Sequence, residues 1–124
     1  MKLLLLPNVL GPVKHHQVFL PASVDRAMET IDGLIAESEG GGRAYLKRFQ
    51  LKDKPQNIPL QLLNKNTNPE DIDFMLEPCL KGEVWGVVSD AGLPCIADPG
   101  ALLVSRARKL GIPIQAFVGP SSIT

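Results

Sequence analysis

Asp90 is the residue best placed for chemistry. It stands in the stretch Val84-Trp85-Gly86-Val87-Val88-Ser89-Asp90-Ala91-Gly92-Leu93-Pro94-Cys95-Ile96-Ala97-Asp98-Pro99-Gly100. The apolar run from Val84 to Val88, without polar alternation, predicts a strand buried on both faces. Polarity then changes abruptly at Ser89, Asp90 and Gly92, so the chain leaves the sheet and turns. Asp98-Pro99 reads as a helix start, with Asp98 as N-cap and Pro99 at the first helical position. In open α/β sheets ligands bind outside the carboxyl ends of the strands, and Asp90 follows such an end. A carboxylate there either serves a ligand or stabilises its own turn.

Other residues carry weaker chemical signals. Glu37 and Glu39 flank Ser38, just ahead of Gly40-Gly41-Gly42-Arg43. Consecutive glycines between a strand and a helix either let backbone N–H groups approach an anion or form a flexible turn. The stretch lacks the Gly-Lys-Ser/Thr of a nucleotide-binding P-loop. His15 and His16 are neighbours and point in different directions, with no cysteine or acidic cluster close by, so they read as a solvated loop and not as a metal site. Cys79 falls on an apolar helical stripe, and Cys95 sits in a context that looks packed.

The elements that position these residues follow from periodicity and punctuation. Leu3 to Leu6 is a first strand, and Pro7-Asn8-Val9-Leu10-Gly11-Pro12 is its exit loop. Ser23 is expected to cap a helix through Val24, Ala27, Met28 and Ile31. Gly33 to Ala36 is a second strand, followed by the glycines and a helix through Tyr45, Leu46 and Phe49. Ile58 to Leu63 is a third strand, weakened at Pro59. Asn68 and Pro69 open a helix in which Ile72, Met75, Leu76, Cys79 and Leu80 form one buried stripe. Pro78 disturbs its last turn and Gly82 ends it. After the Val84 strand, the Asp98 helix runs to Leu110 and buries Leu102, Leu103, Ala107 and Leu110. Its terminal cations Arg106, Arg108 and Lys109 suit the carbonyl end of the dipole. Gly111 stops it, and Ile112 to Val118 is a fifth strand leading to Gly119-Pro120-Ser121-Ser122-Ile123-Thr124.

Alternation of strands and helices predicts an α/β fold: a five-stranded, mostly parallel sheet with helices on both faces. The 124 residues suffice for one domain with a real core. Thirteen basic residues balance thirteen acidic ones, which gives no case for gripping a polyanion over the whole surface. The leucines at positions 3–6, ended by Pro7, are too few for a signal or a membrane span. A cytoplasmic protein with reduced thiols and no membrane partner is expected. A phosphoacceptor receiver needs an acid pair after the first strand, an Asp after the third and a Lys after the fifth. Here Leu6-Pro7, Leu63-Asn64 and Val118-Gly119 stand instead. A dinucleotide fold needs G-x-G-x-x-G after the first strand, and it is absent.

Ser89-Asp90-Ala91-Gly92-Leu93-Pro94, Asp98-Pro99-Gly100 and Val118-Gly119-Pro120-Ser121-Ser122 together resemble the tetrapyrrole methylase superfamily, the class III S-adenosylmethionine (SAM)-dependent methyltransferases. The closest branch methylates a ribose 2′-hydroxyl of bacterial 16S ribosomal RNA. The resemblance covers most of the chain and is strongest from Val84 to Thr124. The chain departs from that branch in two loops. Pro7 to Pro12 replaces Pro-Thr-Pro-Ile-Gly-Asn, and Glu37-Ser38-Glu39-Gly40 replaces Glu-Asp-Thr-Arg.

The resemblance implies SAM as methyl donor, with no metal. The cofactor contacts carried over are Leu10 and Gly11 in the first loop, Asp90, Ala91, Gly92 and Leu93 after the fourth strand, and Ser122 and Ile123 in the last loop. Glu37 and Arg43 fall on the methyl-acceptor side. Glu37 and Glu39 are candidates for a base, and no catalytic residue is assigned. The expected partners are rRNA or the small ribosomal subunit, and a second copy in a homodimer. Residues 1–124 are expected to be the amino-terminal domain of a two-domain enzyme, lacking the carboxy-terminal domain and inactive alone. Alternatives are a corrin or porphyrin C-methyltransferase, and a non-catalytic SAM-binding or dimerisation module.

Overall fold

The structure, a computed structural model, describes residues 1–7, 22–88 and 98–117. Its elements are β1 (Lys2–Leu6), α1 (Ala22–Met28), β2 (Gly33–Ala36), α2 (Glu39–Leu46), a 3₁₀ turn (Pro55–Asn57), β3 (Leu60–Leu62), α3 (Asp71–Leu80), β4 (Val84–Val88), α4 (Asp98–Lys109) and β5 (Ile114–Ala116). The five strands form one sheet in the order β3-β2-β4-β1-β5, with every pairing parallel. The expected α/β fold is thus borne out.

Strand side chains alternate between two cores, which is why the strands read as unbroken apolar runs. Leu3, Ile35, Trp85 and Val87 face α3 and α4, and pack with Ile72, Leu76, Cys79, Leu103 and Ala107. Leu4, Leu6, Leu34, Ala36 and Val88 face α1 and α2, and pack with Val24, Met28, Tyr45 and Leu46. Burial pushes the Cys79 thiol up to about 11, as a core role requires.

Both helices that lead into central or edge strands from the first core end in the same way. Gly82 has φ +105° and Gly111 has φ +79°. At the first, Gly82 N–H donates to Cys79 O and Glu83 N–H to Pro78 O; at the second, Gly111 N–H donates to Arg108 O and Ile112 N–H to Ala107 O. This is the Schellman pattern, which a residue with a Cβ enters only at a cost. It turns the chain directly into β4 and β5.

Several expectations are corrected. α1 begins at Ala22, so Ser23 lies inside its first turn, and the helix stops at Met28, before Ile31. β3 and β5 start later than expected because Pro59 and Pro113 lack an N–H for the ladder. Their carbonyls still take part: Leu34 N–H donates to Pro59 O and Leu3 N–H to Pro113 O, each at 2.9 Å. α3 begins at Asp71, preceded by a turn in which Asp71 N–H bonds Asn68 O and Ile72 N–H bonds Pro69 O. Leu80 (44 % exposed) and Leu102 (39 % exposed) do not join the core, since Leu80 lies one position after the buried Cys79 and Leu102 one position before the buried Leu103. Arg106 is not merely a helix-end cation. Its Nε and Nη2 donate to the two carboxylate oxygens of Asp73 at 2.8 and 2.9 Å, clamping α4 to α3.

Candidate functional site: the carboxyl edge of the sheet

Parallel pairing aligns the strand exits. Leu6 at the end of β1 pairs with Val88 at the end of β4, and Leu5 pairs with Ala116 at the end of β5. On the other side, Ile35 of β2 pairs with Val87. The chain therefore leaves β2, β4, β1 and β5 side by side along one edge. The segments carrying Leu10 and Gly11, Asp90 to Leu93, and Ser122 and Ile123 start from three of these neighbouring exits. Those eight residues, like His15, His16 and Cys95, lie outside the described residues.

Glu37 and Arg43 are described. Glu37 is the first residue past β2, half-buried, and its carbonyl accepts from Asn64 Nδ2 at 3.0 Å. Asn64 is itself held in the turn after β3: its Oδ1 accepts from Asn66 N–H at 2.9 Å and its N–H donates to Thr67 Oγ1 at 3.0 Å. Glu37 thus sits on a fixed backbone at the edge. Arg43 is engaged inward. Its Nη1 donates to the carbonyls of Pro55 and Ile58, both at 2.7 Å, tying α2 to the 3₁₀ turn that precedes β3.

The glycine run differs from both readings of it. Gly40, Gly41 and Gly42 form the first turn of α2 and not a loop. Ser38 caps the helix: its Oγ accepts from Gly41 N–H at 3.1 Å, and its carbonyl accepts from Gly42 N–H at 3.0 Å. Two of the N–H groups an anion would need are therefore bonded within the helix. The third glycine serves packing. A Cβ on Gly42 would lie 2.7 Å from Leu60 Cδ1 and 3.0 Å from Ala36 Cβ, so only glycine lets α2 approach β2 and β3 this closely.

Tyr45 is a participant that sequence reasoning placed simply on an apolar stripe. Its ring is 1 % exposed, and its hydroxyl donates to Pro7 O at 2.7 Å, where the chain leaves β1. Burial raises its pKa above the ordinary phenol value, so it remains a donor. The available signal was chemical: a buried tyrosine requires a partner for its hydroxyl. At the opposite edge of the sheet, Asp32 accepts from Val84 N–H at 2.9 Å and pairs with Lys52 at 2.7 Å. Burial pushes its carboxyl up, but these bonds and the lysine charge together hold it below the usual range. Among the described residues, no group of three or more His, Cys, Asp or Glu is arranged to hold a metal, and no helix is long and apolar enough to cross a membrane.

No protein-family model matches the chain. Similarity to individual proteins is clear. The chain is 31 % identical over 102 residues to a Thermotoga maritima protein named Ribosomal RNA small subunit methyltransferase I, a match spanning 80 % of this chain and 44 % of that one. Proteins of the same name from Coprothermobacter proteolyticus and Xylella fastidiosa are 32 % and 36 % identical over 98 and 96 residues. Those matches span 79 % and 77 % of this chain, and 42 % and 33 % of the relatives. The chain therefore spans less than half the length of these curated relatives. The resemblance read from the three loop motifs is borne out: about four fifths of this chain is 31–36 % identical to proteins named Ribosomal RNA small subunit methyltransferase I.

Proposed function

We propose that this chain forms the cofactor-side α/β domain of a SAM-dependent methyltransferase that acts on a ribose 2′-hydroxyl of small-subunit rRNA. The observation that carries the reading is the adjacency of the exits of β1, β4 and β5, because the family motifs stand on the segments that follow those three strands. Relatives named as rRNA methyltransferases support the acceptor class.

SAM supplies a methyl group on a cationic sulfonium. Leu10, Gly11, Asp90, Ala91, Gly92, Leu93, Ser122 and Ile123 are the residues proposed to hold it. A carboxylate suits its cationic end, and small residues allow main-chain groups close to it. Held there, SAM would supply its methyl group to the ribose oxygen and leave as the neutral thioether, and the hydroxyl proton would pass to a base or to solvent. In-line placement supplies much of the rate. Glu37, half-buried beside the β4 exit, stands nearer this role than Glu39, which begins α2 and is exposed. Arg43 has its Nη1 committed to Pro55 and Ile58, so its proposed part on the acceptor side is to hold α2 beside Glu37. A second domain closing over the cofactor and a homodimer belong to the same reading.

The test uses the full-length protein, titrated with SAM by calorimetry and assayed with radiolabelled SAM on small ribosomal subunits, naked 16S rRNA and a tetrapyrrole precursor. SAM binding with label in the rRNA is the expected result. Label in the tetrapyrrole would move the acceptor to a carbon of that ring, and SAM binding without any turnover would make the domain a binding module. Absence of SAM binding would refute the methyltransferase reading.

A further inference from the structure

Helix α2 is fixed to the β3 side of the sheet by contacts that owe nothing to a ligand. Gly42 seats it against Ala36 of β2 and Leu60 of β3, and Arg43 ties it to the carbonyls of Pro55 and Ile58. Pro7 lies elsewhere, past the end of β1, with the whole of β4 between β1 and β2. The bond from Tyr45 Oη to Pro7 O crosses that gap. Pro7 is buried and lies one residue beyond Leu6, the last β1 residue registered with β4. A buried carbonyl needs a hydrogen-bond partner, and among the described residues the tyrosine hydroxyl supplies one. Tyr45 and Val88, the last residue of β4, belong to one packed cluster.

We propose that Tyr45 is a positioning residue: by holding the Pro7 carbonyl, its hydroxyl sets the spacing of the β1 and β4 exits and so the affinity of this edge for SAM. The inference rests on the methyltransferase reading above. Tyr45 touches neither cofactor nor acceptor in this account. It acts through the point from which the first loop starts. Loss of the hydroxyl takes a hydrogen-bond donor away from a buried carbonyl, and Pro7 shifts to recover one.

The test compares Tyr45→Phe with Ile72→Val in the full-length protein. Phenylalanine keeps the ring, 5.0 Å from that of Phe49. Ile72 is buried in the opposite core, so its truncation lowers stability without touching the edge. Both variants are measured at a temperature where circular dichroism shows them folded. Tyr45→Phe is expected to raise the SAM Kd and the KM for SAM roughly tenfold, with kcat at saturating SAM near wild type. Ile72→Val is expected to lower the unfolding midpoint comparably and leave the Kd unchanged. A Tyr45→Phe protein that binds SAM as wild type does would overturn the brace alone. Equal loss of affinity in both variants would also overturn it, by showing a general effect of stability. Failure of the wild-type protein to bind SAM would instead remove the reading on which the inference stands.

Discussion

Two glycines in one helical turn should respond in opposite directions to the same substitution. Gly40 and Gly42 both lie in the first turns of α2, and neither has a positive φ. Alanine is therefore accessible to the backbone at both. At Gly40 a Cβ meets nothing within 4 Å. The gain is the propensity and unfolded-state entropy term, about 0.5–1 kcal/mol. At Gly42 the same gain is opposed by contacts at 2.7 Å to Leu60 Cδ1 and 3.0 Å to Ala36 Cβ. Leu60 can rotate, but the Ala36 Cβ is attached to strand backbone and moves only with β2. Overpacking of this kind costs about 1–3 kcal/mol, so Gly42→Ala should be destabilising by about 1–2 kcal/mol net. The two variants should thus differ by roughly 2 kcal/mol, which for a domain of this size corresponds to about 10 °C in Tm. Urea and thermal denaturation followed by circular dichroism measure both. The reasoning is refuted if Gly42→Ala is as stable as Gly40→Ala, because the close approach of α2 to the sheet would then not depend on the missing Cβ.

Other outcomes follow from single contacts. Arg43→Met keeps much of the side-chain volume but removes two charge-assisted bonds to Pro55 and Ile58; a loss of about 1.5–3 kcal/mol is expected in urea melts, and a neutral result would assign Arg43 to a ligand instead. The folded-state pKa of Asp32 lies below its ordinary 3.8, so the unfolded chain binds more protons there, and the Asp32 contribution to stability is present above the unfolded pKa and lost as pH falls through the folded one. Asp32→Asn should therefore flatten the stability–pH slope below about pH 4; Asp53 and Asp73, also held low, retain part of that slope. Asp90→Ala in the full-length protein should weaken SAM binding by about 1.5–3 kcal/mol, with little change in the unfolding midpoint. Unchanged SAM affinity in calorimetry of the folded variant would remove Asp90 from the site.

The sequence by itself determined the order and type of the elements. The runs Leu3 to Leu6 and Val84 to Val88 are apolar at every position because both sheet faces are covered, and such runs are legible without a structure. Gly82 and Gly111 were equally legible as helix ends, because the left-handed turn each supplies is a local requirement. The loop motifs carried the family in the same way, through residues close together in the chain. What the tertiary structure decided involves partners far apart. The strand order β3-β2-β4-β1-β5 places β4 between two strands that precede it, and no local pattern encodes which neighbour a buried strand takes. The glycine run was misread because its helical state depends on a cap at Ser38 and on the space beneath Gly42, and that space exists only when Leu60 and Ala36 are in place. Arg43, Asn64 and Tyr45 look like an ordinary cation, a turn residue and an apolar ring. Their bonds reach 15, 27 and 38 residues along the chain, so their roles come into being only when the sheet has closed around them.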